Sequence, residues 1–103
     1  MTALKQRAQA LENHFARQAE IQFKARMRGS KMAGRWAAYT MGLDDVEAYA
    51  GTVAVKQVVE PHRLLEQLRQ DFSQAGVTVS DADIDSRIHH FIEQATDEIF
   101  AGH

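Results

Sequence analysis

The sequence predicts an all-α protein built as a four-helix bundle, and three observations support this prediction. The 103 residues include one proline and many Ala, Gln, Glu and Arg residues, which favour helices. Alternating β-branched and polar residues, which are typical of strands, are almost absent. Apolar residues recur instead at the three- and four-residue spacing of amphipathic helices. Cysteine is absent, which excludes a disulfide scaffold, and the length suffices for one domain with its own core.

The first helix is expected over residues 2–41, because no proline or turn signal interrupts the chain before Gly42. A helix of about 40 residues is roughly 60 Å long, whereas the longest later helix spans about 30 Å. Gly42 ties the C-terminal end of the first helix to the second helix, so the N-terminal end must extend beyond the bundle. We therefore predict a flexible or docking arm at residues 1–18 and a bundle domain at residues 19–103.

A narrow apolar stripe runs along the predicted arm. Leu4, Ala8, Leu11 and Phe15 follow one another at i, i+4, i+7 and i+11, which places them on one side of a helix. No neighbour within the chain is available to cover this stripe, and isolated helices of this length are marginal in water. The arm is therefore expected to be either frayed in the free protein or docked in a groove of a partner, a common mode of helix recognition.

The first break between helices lies within the stretch "TMGLDDVEAYA". Gly42 is expected to end the first helix, with Leu43 placed for the hydrophobic contact that accompanies such an end. Asp44 is the predicted N-cap of the second helix, because Glu47 follows three residues later as in a capping box. The second helix is expected over residues 45–58.

Two further breaks define the last helices. Pro61 is expected in the first turn of a third helix over residues 61–75, where its missing N–H costs nothing. Gly76 ends that helix, and Ser80 caps a fourth helix over residues 81–101. The apolar stripes of these two helices predict most of the core, formed by Leu64, Leu65, Leu68, Phe72, Ile84, Ile88, Phe91, Ile92, Ala95 and Ile99.

Charge is distributed unevenly along the chain, although the net charge is only −2. Residues 1–43 contain eight Lys and Arg residues against two acids, a balance of +6, and residues 44–103 contain four against twelve, a balance of −8. This asymmetry indicates either that the two halves neutralise each other in the fold or that the first half offers a basic arm to an acidic partner.

Four cations in the second half of the first helix form a basic strip. Lys24, Arg28, Lys31 and Arg35 fall within about 60° of one another on a helical wheel, with apolar residues on both flanks. We expect the helix to be covered on its other three sides. The strip is then either a solvated face or a site at which aligned cations bind phosphates or carboxylates.

Gly29 and Gly34 are five residues apart, the glycine spacing of a phosphate-binding loop. That motif requires Lys and Ser or Thr after the second glycine and a strand before the first, whereas Arg35 and Trp36 follow here within a helix. Both glycines lie on predicted buried sectors, where each costs about 1 kcal/mol of helix propensity relative to Ala. We therefore expect neighbouring backbones to approach closely at both positions.

No catalytic or metal-binding constellation is evident in the sequence. The run "DADID" at residues 81–85 resembles the start of a calcium loop, but Ser86 replaces the required glycine and Ile92 replaces the glutamate at the twelfth position. No apolar segment approaches the roughly 20 residues of a membrane span, and the N-terminus lacks the apolar core of a signal peptide. We therefore expect a cytoplasmic protein that is not an enzyme and is not inserted in the membrane.

Several segments together resemble a known family, the zeta-subunit inhibitors of alphaproteobacterial F-type ATP synthases. The resemblance covers about residues 15–99. Its motifs are "FKA" at 23–25, Arg28, Lys31, "GRWAA" at 34–38, "MGL" at 41–43, "EAYA" at 47–50 and "DFSQAGVTVS" at 71–80. It implies a four-helix bundle whose N-terminal segment enters the catalytic head, formed by the alpha, beta and gamma subunits, and blocks ATP hydrolysis. It also implies that the bundle can bind an adenine nucleotide, ADP or ATP, as a regulatory ligand.

This reading gives two sets of candidate site residues. The apolar and basic side chains of the arm are expected to anchor and orient it in the partner: Leu4, Lys5, Arg7, Leu11, Phe15 and Arg17. The basic strip and the neighbouring aromatic ring are the candidate nucleotide site: Lys24, Arg28, Lys31, Arg35 and Trp36. No cofactor is expected to be required. The protein is expected to be monomeric when free and to associate with the inner-membrane synthase.

The alternative function is a small helical nucleic-acid-binding protein that uses the basic strip. A net charge of −2 argues against this alternative, because phosphate binding normally accompanies a basic domain. Trp36 could stack on a base in either function, although a lone Trp among Ala and Met residues is more often part of a core.

Overall fold

The computed structural model describes residues 2–60 and 62–102, with side chains from residue 5 onward. Four helices and no strand are present in these ranges, which confirms the predicted all-α class. Their bounds are α1 Thr2–Met41, α2 Val46–Val59, α3 Leu64–Gln74 and α4 Asp81–Ala101. The molecule extends 65 Å along its longest axis and 25 and 23 Å across it. The long axis is therefore set by α1, whose 40 residues correspond to about 60 Å of helix.

The end of α1 is formed as the sequence predicts. Gly42 adopts a left-handed backbone conformation, with φ of +73°, which favours glycine. The Leu43 N–H donates to the carbonyl oxygen of Ala38 at 2.9 Å, and the Gly42 N–H donates to that of Tyr39 at 3.1 Å. These bonds satisfy carbonyl groups that the end of a helix otherwise leaves free.

The cap of α2 differs from the prediction, which named Asp44. The N-cap is Asp45, whose carboxylate accepts a hydrogen bond from the Ala48 N–H at 3.0 Å. Either of two consecutive aspartates can serve as an N-cap. The one that does so here accepts a hydrogen bond from the free N–H three residues later, in the first turn of the helix. With Asp45 as the N-cap, Glu47 lies one residue too early to complete a capping box, and it pairs instead with Arg35 on α1.

The predicted start of α3 at residue 61 is wrong, because the helix begins at Leu64. The Arg63 N–H donates to the carbonyl oxygen of Glu60 at 3.2 Å, a three-residue span that is shorter than the four-residue span of an α-helix. The predicted role of Pro61 lies outside the described residues. The cap of α4 is confirmed, since the Ser80 hydroxyl accepts a hydrogen bond from the Asp83 N–H at 3.1 Å.

The core lies where α2, α3 and α4 meet the second half of α1. Small residues of α1, including Ala33, Ala37 and Ala38, are fully buried, and larger apolar side chains of the other helices fill the space around them. Both predicted stripes contribute. The buried members are Leu64, Leu68, Phe72, Ile84, Ile88 and Ala95, and the partly buried ones are Leu65, Phe91, Ile92 and Ile99.

Neighbouring helices approach α1 closely at Gly29 and Gly34, which confirms the prediction. A Cβ atom at Gly29 would lie 2.7 Å from the Cα atom of Ile92 on α4. A Cβ atom at Gly34 would lie 2.9 Å from the Cα atom of Ala50 on α2. Real Cβ atoms do not approach backbone so closely, so the two glycines allow α4 and α2 to pack directly on α1.

The other helices cover α1 over a shorter range than expected. The prediction placed Phe23 and Tyr39 on covered flanks, but their exposed fractions are 52% and 73%. The reason is the length of the partner helices, since α2 has only 14 residues and α4 has 21. Full burial of α1 is confined to residues 25–38, where both partners are present.

A polar contact that the sequence did not predict joins α2 to α3. The Tyr49 hydroxyl donates to the Asp71 carboxylate at 2.6 Å, and the Gln67 side-chain amide donates to the same carboxylate at 3.0 Å. Burial, together with the hydrogen bond to Asp71, raises the pKa of Tyr49 well above its ordinary value. The phenol therefore remains a neutral donor and holds the short α3 against α2.

Substitution of the helical glycines tests the close packing. We expect Gly29→Ala and Gly34→Ala each to lower the free energy of unfolding by about 1 to 3 kcal/mol, because the added methyl group meets backbone that must move. Gly51→Ala is the control, since nothing lies within 4 Å of its Cβ position. It should raise stability by about 0.5 to 1 kcal/mol through helix propensity. Urea unfolding followed by circular dichroism measures all three, and equal effects would contradict the packing.

Candidate functional site

No other described helix buries the N-terminal arm of α1. Every described side chain from residue 5 to residue 20 is exposed. The two large apolar side chains of the predicted stripe, Leu11 and Phe15, have exposed fractions of 57% and 64%. The side chain of Leu4 lies outside the described residues. The predicted overhang is therefore present, whereas the boundary between residues 18 and 19 stays a prediction.

The exposed stripe continues the face of α1 that the bundle buries. Leu11 precedes Gly29 by 18 residues, and Phe15 precedes Ala33 by the same number. Eighteen residues are five full turns at about 3.6 residues per turn, so each pair lies on the same side of the helix. Gly29 and Ala33 are buried against the other helices, whereas Leu11 and Phe15 present the same side to solvent. The arm therefore repeats the core-facing side of α1 without a helix to cover it.

The arm carries a net positive charge along its exposed length. Lys5, Arg7 and Arg17 have no ion-pair partner among the residues that the structure describes. The acid Glu20 pairs instead with Lys24, with 2.9 Å between Nζ and Oε1. That hydrogen bond holds the pKa of Glu20 below its ordinary value. The predicted orienting residues Lys5, Arg7 and Arg17 thus remain available to a partner of opposite charge.

The basic strip lies along an open groove that crosses α1 between α2 and α4. The four cations of the strip line this groove together, as the helical wheel predicts, and the groove has a volume of about 730 Å³. Its full lining is Phe23, Lys24, Met27, Arg28, Lys31, Met32, Arg35, Ala54 and Glu98. Trp36, the fifth predicted member of the nucleotide site, is not part of this lining.

Acidic side chains neutralise much of the strip. Arg35 donates to both carboxylate oxygens of Glu47 on α2, at 2.7 and 3.2 Å. These bonds hold the pKa of Glu47 below its ordinary value and raise that of Arg35. Arg28 lies 3.6 Å from Glu98 on α4. Both outcomes expected from the charge asymmetry are therefore present. Cations of the strip pair with acids of the other helices, whereas the cations of the arm do not.

Lys31 differs from the other cations of the strip. It is partly buried in the groove and has no ion-pair partner within the described ranges.

Trp36 packs in the core, with its ring centroid 5.5 Å from that of Phe72 in an edge-to-face arrangement. The guanidinium of Arg87 lies 5.4 Å from the Trp36 ring centroid. These contacts favour the core role of Trp36 over base stacking.

Two contacts of the site were not found from the sequence. The pair formed by Arg28 and Glu98 and the cation–π contact between Arg87 and Trp36 both join α1 to α4. The charge asymmetry was the available signal for such cross-helix pairs, but it does not specify partners.

Among residues 2–60 and 62–102, no group of three His, Cys, Asp or Glu side chains is placed to hold a metal ion. None of the described helices is both long and apolar enough to cross a membrane.

Comparison with known proteins gives one match. The sequence model of the family described as ATPase inhibitor subunit zeta matches residues 1–98, which covers the arm, the first three helices and most of α4. Searches of curated proteins and of solved structures give no match.

Proposed function

The chain belongs to the ATPase inhibitor subunit zeta family, and we propose that it blocks ATP hydrolysis by inserting its N-terminal arm into the catalytic head of an F-type ATP synthase. The family is one of regulatory inhibitors. The observation that supports insertion of the arm is its uncovered apolar side, formed by Leu11 and Phe15, which continues the buried side of α1. In the complex, the head supplies the groove that the bundle supplies farther along the same helix.

The affinity of the arm comes from a few buried side chains. Complete burial of a Leu or Phe side chain contributes about 1.5 to 3 kcal/mol relative to exposure, so Leu11 and Phe15 are the main anchors. Lys5 and Arg7 flank this stripe, and Arg17 lies on another side of the helix. None of the three forms an ion pair with a described acid of the bundle. They favour a groove lined with carboxylates, and they orient the arm as it enters.

The continuity of α1 explains how insertion would stop catalysis. Residues 5–41 contain no proline and no glycine before Gly29, so the arm and the bundle form one continuous rod. A catalytic interface of the head must open and close in each cycle to bind substrate and release product. A helix wedged into that interface and held by the bundle outside it prevents closure. Contact with the alpha, beta and gamma subunits is part of this proposal.

Charge substitution on the stripe tests the proposed insertion. We expect Leu11→Asp and Phe15→Asp to reduce inhibition of ATP hydrolysis by at least about tenfold, because each places a carboxylate where the partner buries an apolar group. Deletion of residues 1–16 should have the same effect. Stability of the bundle should not change, because these side chains contact nothing in the core. The measurements are ATPase assays of the purified synthase head and thermal unfolding of each variant.

Gln6→Asp is the matched control for charge. Gln6 lies nine residues before Phe15, which is two and a half turns and hence the opposite side of the helix. The control should inhibit nearly as well as the natural protein. Inhibition by the variant that lacks residues 1–16, equal to that of the intact protein, would contradict the proposal.

A second candidate function is regulation by an adenine nucleotide bound in the groove of the basic strip. Lys31 supports this candidate, since it is partly buried there without an ion-pair partner among the described side chains. Arg28 is the cation whose existing pair is longest, at 3.6 Å, and could therefore turn to a phosphate. Lys24 and Arg35 would have to leave shorter contacts with Glu20 and Glu47. The nucleic-acid alternative has less support, because these pairs reduce the cationic surface that a duplex would meet.

Titration with ADP tests the nucleotide candidate. We expect the amide resonances of residues 24–35 to shift on addition of ADP, and Lys31→Glu to abolish the shifts by placing a carboxylate at the phosphate position. Lys56→Glu on α2, outside the groove lining, is the control and should leave the shifts in place. Unchanged spectra of the natural protein at millimolar ADP would contradict the candidate.

The predicted monomeric state and cytoplasmic location stay predictions.

A further inference from the structure

Exposed large apolar side chains of the bundle are concentrated around the base of the arm. Among the described residues, Phe23, Val58 and Phe100 are exposed near this end, where α1 leaves the bundle. Phe100 has an exposed fraction of 60%, although it belongs to the last turn of α4. Tyr39 and Leu43 are exposed at the opposite end. Val55 and Val59 are exposed as well, but they line a separate groove between α2 and α3.

The path of α4 places Phe100 at the base of the arm. Arg87 lies over Trp36, whereas Glu98 pairs with Arg28, so α4 runs antiparallel to α1. Its C-terminal turn therefore ends beside the arm. Phe100 lines a groove of about 520 Å³ with residues of α1 that extend from Ala25 back to His14.

The path of α2 places Val58 at the same end. Ala50 packs against Gly34, and Ala54 lines the basic groove together with Met27 and Phe23. As residue numbers rise along α2, they therefore fall along the facing part of α1. Val58 lies one turn beyond Ala54, in the direction of the arm.

We propose that Phe23, Val58 and Phe100 form a collar that seats the bundle against the catalytic head, at the rim of the cleft that receives the arm. This inference rests on the proposed function. A helix with its side chains is about 10 to 12 Å across, whereas the bundle measures 25 by 23 Å. A cleft that admits the arm therefore stops the bundle, and the collar is the part of the bundle that meets the rim.

The chemistry of the collar specifies the surface that it fits. Its three apolar side chains come from three helices, and α1 carries two exposed cations, Arg17 and Arg26, before and after Phe23. Arg17 lines the same groove as Phe100. The complementary surface is an apolar ledge of the head bordered by carboxylates, in continuity with the groove that binds the arm.

The collar and the arm have separable effects on inhibition. The arm occupies the catalytic interface, so its loss removes inhibition even when the partner is saturated. The collar lies outside that interface and adds contact area, so its loss shortens the lifetime of the complex. Inhibition at saturating protein is then retained when collar residues are changed.

Serine substitutions in the collar test the proposal. Phe23→Ser, Val58→Ser and Phe100→Ser are compared with Tyr39→Ser, which removes an exposed aromatic ring at the far end of the bundle. Binding to the purified catalytic head is measured by surface plasmon resonance and ATP hydrolysis by a coupled assay. Each phenylalanine variant should dissociate about tenfold faster than the natural protein. Val58→Ser should show a smaller increase, and saturating inhibition should be unchanged for all three.

The outcomes distinguish this inference from the proposed function. If the collar variants dissociate no faster than Tyr39→Ser while the natural protein inhibits, the collar is wrong and the arm proposal survives. If the natural protein does not bind the head, both proposals are wrong. Circular dichroism establishes that each variant is folded. Because the three residues lie on three different helices, a folding defect in one variant leaves the other two to decide.

Discussion

The uninterrupted helix α1 is packed on its neighbours over its second half only, and the rest of the structure depends on this mismatch in length. Residues 25–38 supply small side chains that let α2 and α4 approach closely, as the contacts of Gly29 and Gly34 show. Residues 5–20 belong to the same helix and have no such neighbours. The bundle thus holds the base of a rod whose free part, about 24 Å for 16 residues, projects into solvent.

Charge follows the same division of α1. Within the bundle, Arg28 and Arg35 are paired with Glu98 and Glu47 of the neighbouring helices, so the basic strip is largely neutralised. On the arm, the positive side chains form no ion pair with an acid of the described part of the bundle. One helix therefore presents a neutralised face where it is packed and a cationic, apolar surface where it is free. For a member of an inhibitor family, that free surface is the part suited to a partner.

Most of the fold was predictable because local signals determine it. Gly42, Gly76 and Ser80 end or begin helices through their own backbone and side-chain preferences, and the apolar spacing of α3 and α4 predicts the core. The predicted start of α3 was wrong, because it relied on the general preference of proline for the first turn of a helix, whereas the helix begins at Leu64. In the candidate site, spacing places the strip and the stripe on single faces of α1. Spacing does not identify Glu98 as the partner of Arg28, since that pair depends on how α4 lies across α1.

Hydrogen exchange of the arm in the free and bound protein tests the central claim most directly. The amides of residues 5–20 are measured by mass spectrometry for the protein alone and in complex with the purified catalytic head. In the free protein they lie in an exposed helix with no tertiary contacts, so opening costs little and exchange is fast. The account predicts that binding slows exchange throughout residues 5–20, most of all around Leu11 and Phe15. Exchange in the arm that binding leaves unchanged, with protection confined to the bundle, would contradict insertion of the arm.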